Sequence, residues 1–423
     1  MDPVKKIFIY SGACERRNLD AKKICDYLTK NNYQIVNEPN NVDYIIFFTC
    51  GFVKSVSDLC FATIEELKKY PAELIVAGCL PDIAQDQLKS VFTGKIITTK
   101  DLDQIDTLFN ENEIKFNTVD DAHIMWYNYT KTTLLGTFKR IAKSSLFVRK
   151  CCHVVERTII SKIFGNNFHK TFPFNRLYPE QRKYAISISR GCIHNCSYCA
   201  IRRAVGPLKS KPMNACLKEF KLGLKQGYKQ IVLEADDTGH YGIDIKKSLP
   251  ELLDKMTKID GDYTIELKNT HPFWIIKYVD QLEELLLKKK IKTILLSIQS
   301  GNNRILKLMR RSYTAEQLIP TLIRLKKAYP DLELGVHLMV GFPTETTEEF
   351  QDTLQLFEKL PLDFGSVFSF STQDGTEADK FAPKIPVKEI KNRIRQTLHV
   401  LRNNNYSAWY SKEDKSISFY KNN

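Results

Sequence analysis

Two rhythms of apolar residues run along this chain. Ile7–Tyr10 (IFIY), Tyr44–Phe48 (YIIFF), Leu74–Ala77 (LIVA) and Ile96–Thr98 (IIT) are short runs rich in β-branched and aromatic residues, the pattern of strands buried on both faces. Between them, Leu19–Lys30 and Ser55–Lys69 carry apolar positions three and four apart, which predicts helices. Strands alternating with helices leave room for parallel crossovers, so residues 1–100 are expected to form an open parallel α/β domain. Residues 101–183 break the alternation, and Thr132–Lys170 reads as one or two basic amphipathic helices in a linker or insert.

The alternation resumes at Tyr184. Candidate strands are Ala185–Ser189, Gln230–Leu233, Tyr263–Leu267, Thr293–Ile298, Glu333–Val340 and Gly365–Phe370. Helical patterns separate them at Ala215–Lys225, Leu249–Met256, Trp274–Leu287, Thr314–Ala328 and Thr346–Leu360. Six strand–helix units over 184–385 predict a partial (β/α)6 barrel, about three-quarters of the eight-stranded form. Val387–Arg402 reads as a last helix, and 386–423 is expected to be a helical extension.

No apolar run approaches the roughly 20 residues that span a bilayer. The opening MDPVKK passes straight into a strand pattern with no secretory leader, so the chain is expected to be cytoplasmic. Its cysteines number eleven, an odd count in such a setting, which favours metal binding or catalysis over disulfides. The formal net charge of +14 suits a polyanionic partner, although a solvated basic surface gives the same number. Much of the excess is local: residues 131–170 hold nine Lys or Arg against the single Glu156.

The sharpest chemical signal is Ser189–Pro207, SRGCIHNCSYCAIRRAVGP. Cys192, Cys196 and Cys199 form a C-x3-C-x2-C triplet just after the first barrel strand, at the end where barrels place their sites. Three thiolates on one loop suit a [4Fe–4S] cluster with one iron free of protein ligands. S-adenosylmethionine (SAM) can chelate that iron through its amino and carboxylate groups. The alternative is a structural zinc site with His194 as fourth ligand. A second triplet is dispersed. Cys14, Cys50 and Cys79 each follow a predicted strand (KIFIYSGAC, YIIFFTC, LIVAGC), and strand ends of a parallel sheet converge on one edge. They are read as ligands of a second, auxiliary cluster; three unrelated buried cysteines are the alternative.

These segments resemble the radical-SAM methylthiotransferase family. TCGFVKS, VAGCLPD, the cysteine loop, LEADDTGHYGID, NTHP, SIQSGNNRILKLMRR, VGFPTETTEEF and STQDGTEA carry the likeness across about Lys6–Phe381. The resemblance implies two [4Fe–4S] clusters, SAM as cosubstrate used twice, an electron donor of the flavodoxin or ferredoxin type, and a monomer. It also implies SAM contacts from Glu234, Asp236 and Asp237, from Gln299 and Ser300, and from Val340, Gly341 and Phe342. For His271, packing and substrate roles both stay open, while Cys25, Cys60 and Cys216 fall on helical patterns and read as core. No role is assigned to the adjacent Cys151 and Cys152.

Two departures stand out. Asn18 falls one residue late in the family's first-cysteine motif, whose Ser-Glu pair is absent. Relatives end in a small β-barrel module that grips substrate, for which the residues after Val387–Arg402 are too few. The basic insert is expected to take over substrate capture. The expected activity is methylthiolation of a macromolecule, first a tRNA adenosine next to the anticodon. The alternatives are a protein or peptide side chain, such as an aspartate of a ribosomal protein, and a non-catalytic iron–sulfur binding protein.

Overall fold

The computed structural model describes residues 4–124, 183–412 and 415–422. The basic segment 131–170, with Cys151 and Cys152, lies outside the described residues. Two compact units emerge. One is drawn from Met1–Cys50, Ser57–Pro81 and Gln85–Glu180, the other from Gly51–Val56, Asp82–Ala84 and Gln181–Asn423.

In the first unit, β1 (Lys6–Ser11), β2 (Gln34–Val36), β3 (Tyr44–Thr49), β4 (Glu73–Gly78) and β5 (Lys95–Thr98) form an all-parallel sheet in the order β2-β1-β3-β4-β5. The central strands are apolar throughout because helices cover both faces: Ile7, Ile9, Ile45–Phe48 and Leu74–Ala77 are buried. Helix Glu15–Lys30 contributes Ile24 and Leu28 to that core, and helix Lys54–Leu67 contributes Ile64. Sequence pattern missed β2, a three-residue edge strand too short to show a period. The strand order reverses between β1 and β3, which opens a crevice at their carboxyl ends.

The second unit holds the barrel-like sheet. Six parallel strands, β6 (Lys183–Ser187), β9 (Gln230–Glu234), β10 (Thr264–Thr270), β11 (Ile291–Gln299), β12 (Glu333–Val340) and β13 (Phe364–Ser369), pair in that order. A short ladder of β7 (Ser189–Arg190) and β8 (Lys209–Ser210) stands apart. The expected helix Trp274–Leu287 is two, Pro272–Lys277 and Val279–Leu286, because Tyr278 leaves helical geometry at φ −108°, ψ 21°.

The C-terminus corrects an expectation. Helix Val387–Asn403 forms, but the residues after it are a hairpin, β14 (Tyr406–Ser411) and β15 (Ser416–Lys421), not more helix. β15 pairs antiparallel with β13, so the hairpin extends the main sheet. The cause is a period of two: Ile417 and Phe419 point inward, and Phe419 stacks edge-on against Phe357 and Tyr406.

One ion pair seats the terminal helix on the end of β12. Arg393 Nη1 lies 2.5 Å from Glu345 Oε2, Arg393 Nη2 donates to the Glu345 carbonyl at 3.0 Å, and Gly341 N–H donates to the same carboxylate at 2.7 Å. Both side chains are buried. Removing one partner strands the other charge, so Arg393→Ala is expected to cost about 3–5 kcal/mol. Chemical denaturation should also show a milder loss for Arg393→Met combined with Glu345→Gln. Equal losses for the two variants would mean the charge pairing is not what holds the helix.

Candidate metal centres

Gly191 sets the start of the cysteine loop. It turns with φ +83°, and a Cβ there would sit 1.9 Å from the Pro207 carbonyl oxygen, so only glycine fits. The β7–β8 ladder closes the loop at its base, Cys192 N–H donates to the Gly206 carbonyl at 3.3 Å, and Gly191 N–H donates to Asp236 Oδ2 at 2.8 Å. Further along, Ser197 N–H and Oγ donate to the Met309 and Leu308 carbonyls at 3.2 and 2.7 Å. The Tyr198 ring packs on a buried group of Ile305, Met309, Phe342 and Ala378. Cys192, Cys196 and Cys199 are thereby held, each partly exposed, beyond the carboxyl end of the strands.

Asp237 ties this loop to its neighbours. It is 3% exposed. Its Oδ1 accepts from the backbone N–H of Gly239 and of His271, both at 3.0 Å. Its Oδ2 meets His194 Nε2 at 2.7 Å and Trp274 Nε1–H at 2.8 Å, with His240 Nδ1 at 3.6 Å. Burial opposes ionisation of this carboxyl, but the His194 hydrogen bond and the nearby imidazoles outweigh it and hold it below the ordinary range. The His194 ring stacks on His271 with centroids 3.9 Å apart. Burial, then the charge of Arg311, keeps His271 neutral, and burial lowers His240 too. His194, Asp237 and His240 present ligand atoms within 4.8 Å of one another. The indole N–H lies between His194 Nε2, at 3.3 Å, and the carboxylate, so His194 and Asp237 share one hydrogen-bond network with Trp274, while both buried ring nitrogens of His240 have no hydrogen-bond partner among the described residues.

The three thiols fit an iron cluster chemically. Burial first, with neighbouring charge second, pushes Cys199 up to about 11 and raises Cys192 as well. Such thiols are uncharged at neutral pH when free, and a metal makes them thiolates by displacing the proton. His194, the conceivable zinc ligand, is committed to Asp237 and His271. A residue the sequence pattern did not single out joins the loop: Arg311 Nη1 lies 3.4 Å from Cys196 Sγ.

The other expected contact residues flank this loop. Glu234 ends β9, fully buried. Gln299 ends β11 at a bulge with a left-handed φ of +78°. Ser300 Oγ accepts from the Asn302 N–H at 3.1 Å and meets Thr353 Oγ1 at 3.2 Å. Val340 ends β12, Gly341 turns with φ +79°, and Phe342 is buried between Phe370 and Phe381. His271 caps helix Pro272–Lys277 by accepting from Phe273 N–H, so the structure gives it a packing and capping role.

In the first unit each cysteine of the dispersed triplet follows a strand at the sheet's carboxyl edge. Gly12 N–H donates to the Phe48 carbonyl at 3.0 Å and Cys79 N–H to the Thr49 carbonyl at 3.3 Å, which ties the ends of β1, β3 and β4 together. Cys14 therefore follows β1, Cys50 follows β3 and Cys79 follows β4 around the switch-point crevice. Gly78 turns with φ +99°, and a Cβ there would meet the Thr49 carbonyl at 2.4 Å. Asn18, displaced from its family position, still donates to the Ala13 carbonyl at 3.2 Å and braces the turn bearing Cys14. Cys60 is buried against the Cys50 backbone, its thiol pushed up to about 12 by burial, while Cys25 and Cys216 are core as expected.

A sheet of six parallel strands with three cysteines on the loop after the first defines the radical-SAM class. Residues 186–357 match the family model described as Radical SAM superfamily, and residues 6–98 match Uncharacterized protein family UPF0004. The fold is similar to that of the radical S-adenosylmethionine methyltransferase TsrM from Kitasatospora setae (TM-score 0.59, 9% identity, covering 99% of this chain and 88% of that one). A ribosomal protein uS12 methylthiotransferase RimO of Clostridium botulinum is 30% identical over 405 residues, covering 94% of this chain and 81% of the relative. A probable threonylcarbamoyladenosine tRNA methylthiotransferase of Pyrococcus abyssi is 29% identical over 398 residues, covering 94% and 84%. The chain belongs to the radical-SAM methylthiotransferase family. It is an enzyme that transfers sulfur-containing groups, using SAM and [4Fe–4S] clusters. No helix among the described residues is long and apolar enough to cross a membrane.

Proposed function

We propose that this enzyme methylthiolates a tRNA adenosine next to the anticodon. The observation that carries the reading is the 29% identity over 398 residues to the tRNA methylthiotransferase of Pyrococcus abyssi. Basic surface supports it: Lys388, Lys391, Arg395 and Arg402 are exposed on the terminal helix, and Lys412, Lys415 and Lys421 on the hairpin. The second reading is a ribosomal-protein side chain, favoured by the 30% identity to the uS12 enzyme of Clostridium botulinum.

In this reading Cys192, Cys196 and Cys199 hold the SAM cluster and Cys14, Cys50 and Cys79 the auxiliary one. When bound, SAM with the cluster would supply the radical chemistry that activates a substrate C–H bond. Glu234, Asp236 and Asp237 would take the amino group of SAM, Gln299 and Ser300 would contact SAM, and Val340, Gly341 and Phe342 would receive its adenine. Asp237 and His194 hold the loop in register, and the half-buried Tyr198 ring anchors it on the apolar group of Ile305, Met309, Phe342 and Ala378. In the proposed division of labour 1–100 serve the auxiliary cluster, the basic segment 131–170 within 101–183 captures substrate, 184–385 carry the radical chemistry and 386–423 form the terminal extension. A cytoplasmic monomer reduced by a flavodoxin- or ferredoxin-type donor completes the proposal.

The test is mass spectrometry of tRNA nucleosides and of uS12 peptides from a deletion strain and its complemented parent. Loss of a methylthio-adenosine (+46 Da, the mass of CH3S replacing H) with unchanged uS12 is expected. Loss confined to the uS12 peptide would establish the second reading instead.

A further inference from the structure

Arg311 belongs to none of the roles assigned so far. It stands just beyond helix Asn303–Leu308, where Arg310 takes a left-handed φ of +58° and Arg311 N–H donates to the Leu306 carbonyl at 2.9 Å. Its side chain runs inward and is 8% exposed. Nη1 donates to Cys196 Sγ at 3.4 Å, and Nη2 donates to the Ser297 carbonyl near the end of β11. The guanidinium lies 5.6 Å from the centroid of the Tyr313 ring, whose hydroxyl donates to the Ile298 carbonyl. Among the described residues no carboxylate pairs with it; the groups facing it are Tyr198, Tyr313 and Cys196.

A buried guanidinium without a carboxylate is costly unless another anion balances it. The sulfur of Cys196 is the one neighbour that becomes an anion when iron binds, and the charge is then shared with the whole cluster. We infer that Arg311 is a positioning residue that holds Cys196 toward the SAM cluster and raises that cluster's reduction potential. One-electron reduction adds a negative charge to the cluster and breaks no bond, the electron coming from an external low-potential donor. A fixed positive charge and an N–H···S bond stabilise the more negative state more than the less negative one, and hydrogen bonds to the sulfurs are a recognised lever on such potentials. The inference rests on Cys192, Cys196 and Cys199 being the cluster ligands.

The experiment is an EPR-monitored redox titration without SAM, on the full chain carrying Cys14→Ala, Cys50→Ala and Cys79→Ala so that one cluster reports. Iron content and thermal melting accompany each sample. Arg311→Gln is expected to lower the reduced-to-oxidised ratio at fixed potential at least tenfold, a shift of about 59 mV or more to lower potential for one electron. Arg311→Lys, which keeps the charge, should stay within about half that shift. A Gln variant with full iron and an unmoved potential overturns the inference. If Gln loads too little iron to titrate, full loading and a near-parental potential in Lys still support it, and iron loss in both reduces Arg311 to packing. Failure of the underlying ligand assignment shows separately, as a parent that holds no cluster to titrate.

Discussion

Replacing Cys192, Cys196 and Cys199 together by Ala is expected to abolish formation of 5′-deoxyadenosine from SAM and reductant. Iron should fall from about eight to about four per chain after anaerobic reconstitution, since each cluster holds four. The three cysteines share one loop closed by the β7–β8 ladder and fastened through Gly191, Ser197 and Tyr198. Losing the thiolates removes the metal without dismantling the six-strand sheet, whose core is a separate layer of Ile, Leu and Val side chains. The melting temperature of the apo protein should therefore move little. Retained SAM cleavage, or a wild type that saturates at four irons, would contradict the two-cluster assignment.

The converse substitution should split the reaction. With Cys14, Cys50 and Cys79 changed to Ala, reductive cleavage of SAM is expected to persist within a few-fold of wild type while methylthiolated product disappears. The reason is chain topology: these cysteines follow β1, β3 and β4 of a sheet with its own core, and none lies on a strand of the radical-SAM sheet. Chromatography of 5′-deoxyadenosine beside mass spectrometry of the substrate reads both halves from one incubation. Product formation at wild-type rate would remove the N-terminal triplet from the chemistry.

What could be read from sequence follows from how local the information is. The parallel strands were legible because burial on both faces writes continuous apolar runs, and Tyr44–Phe48 against β3 differs by one residue. The C-x3-C-x2-C loop was legible because its ligands are adjacent in the chain. β2 was not, having three residues on an edge, and the terminal hairpin was passed over because its short alternation sits behind a strong helix. Least legible were the contacts that fold together distant segments. Arg311 meets Cys196 across 115 positions and Trp274 meets Asp237 across 37, and no spacing rule connects them. The contacts of Asp236 and Asp237 are as remote: Asp236 accepts from Gly191, and Asp237 meets His194.

That last arrangement has a kinetic meaning. One carboxylate ties together the cysteine loop through His194, the end of β10 through His271, and helix Pro272–Lys277 through Trp274. The conformational entropy of the loop is thus surrendered when the chain folds, not when cosubstrate arrives. On the proposed assignment of this loop to the SAM cluster, an arriving cosubstrate would meet a loop already formed. Replacing spent cosubstrate by fresh would then need no reordering of the loop.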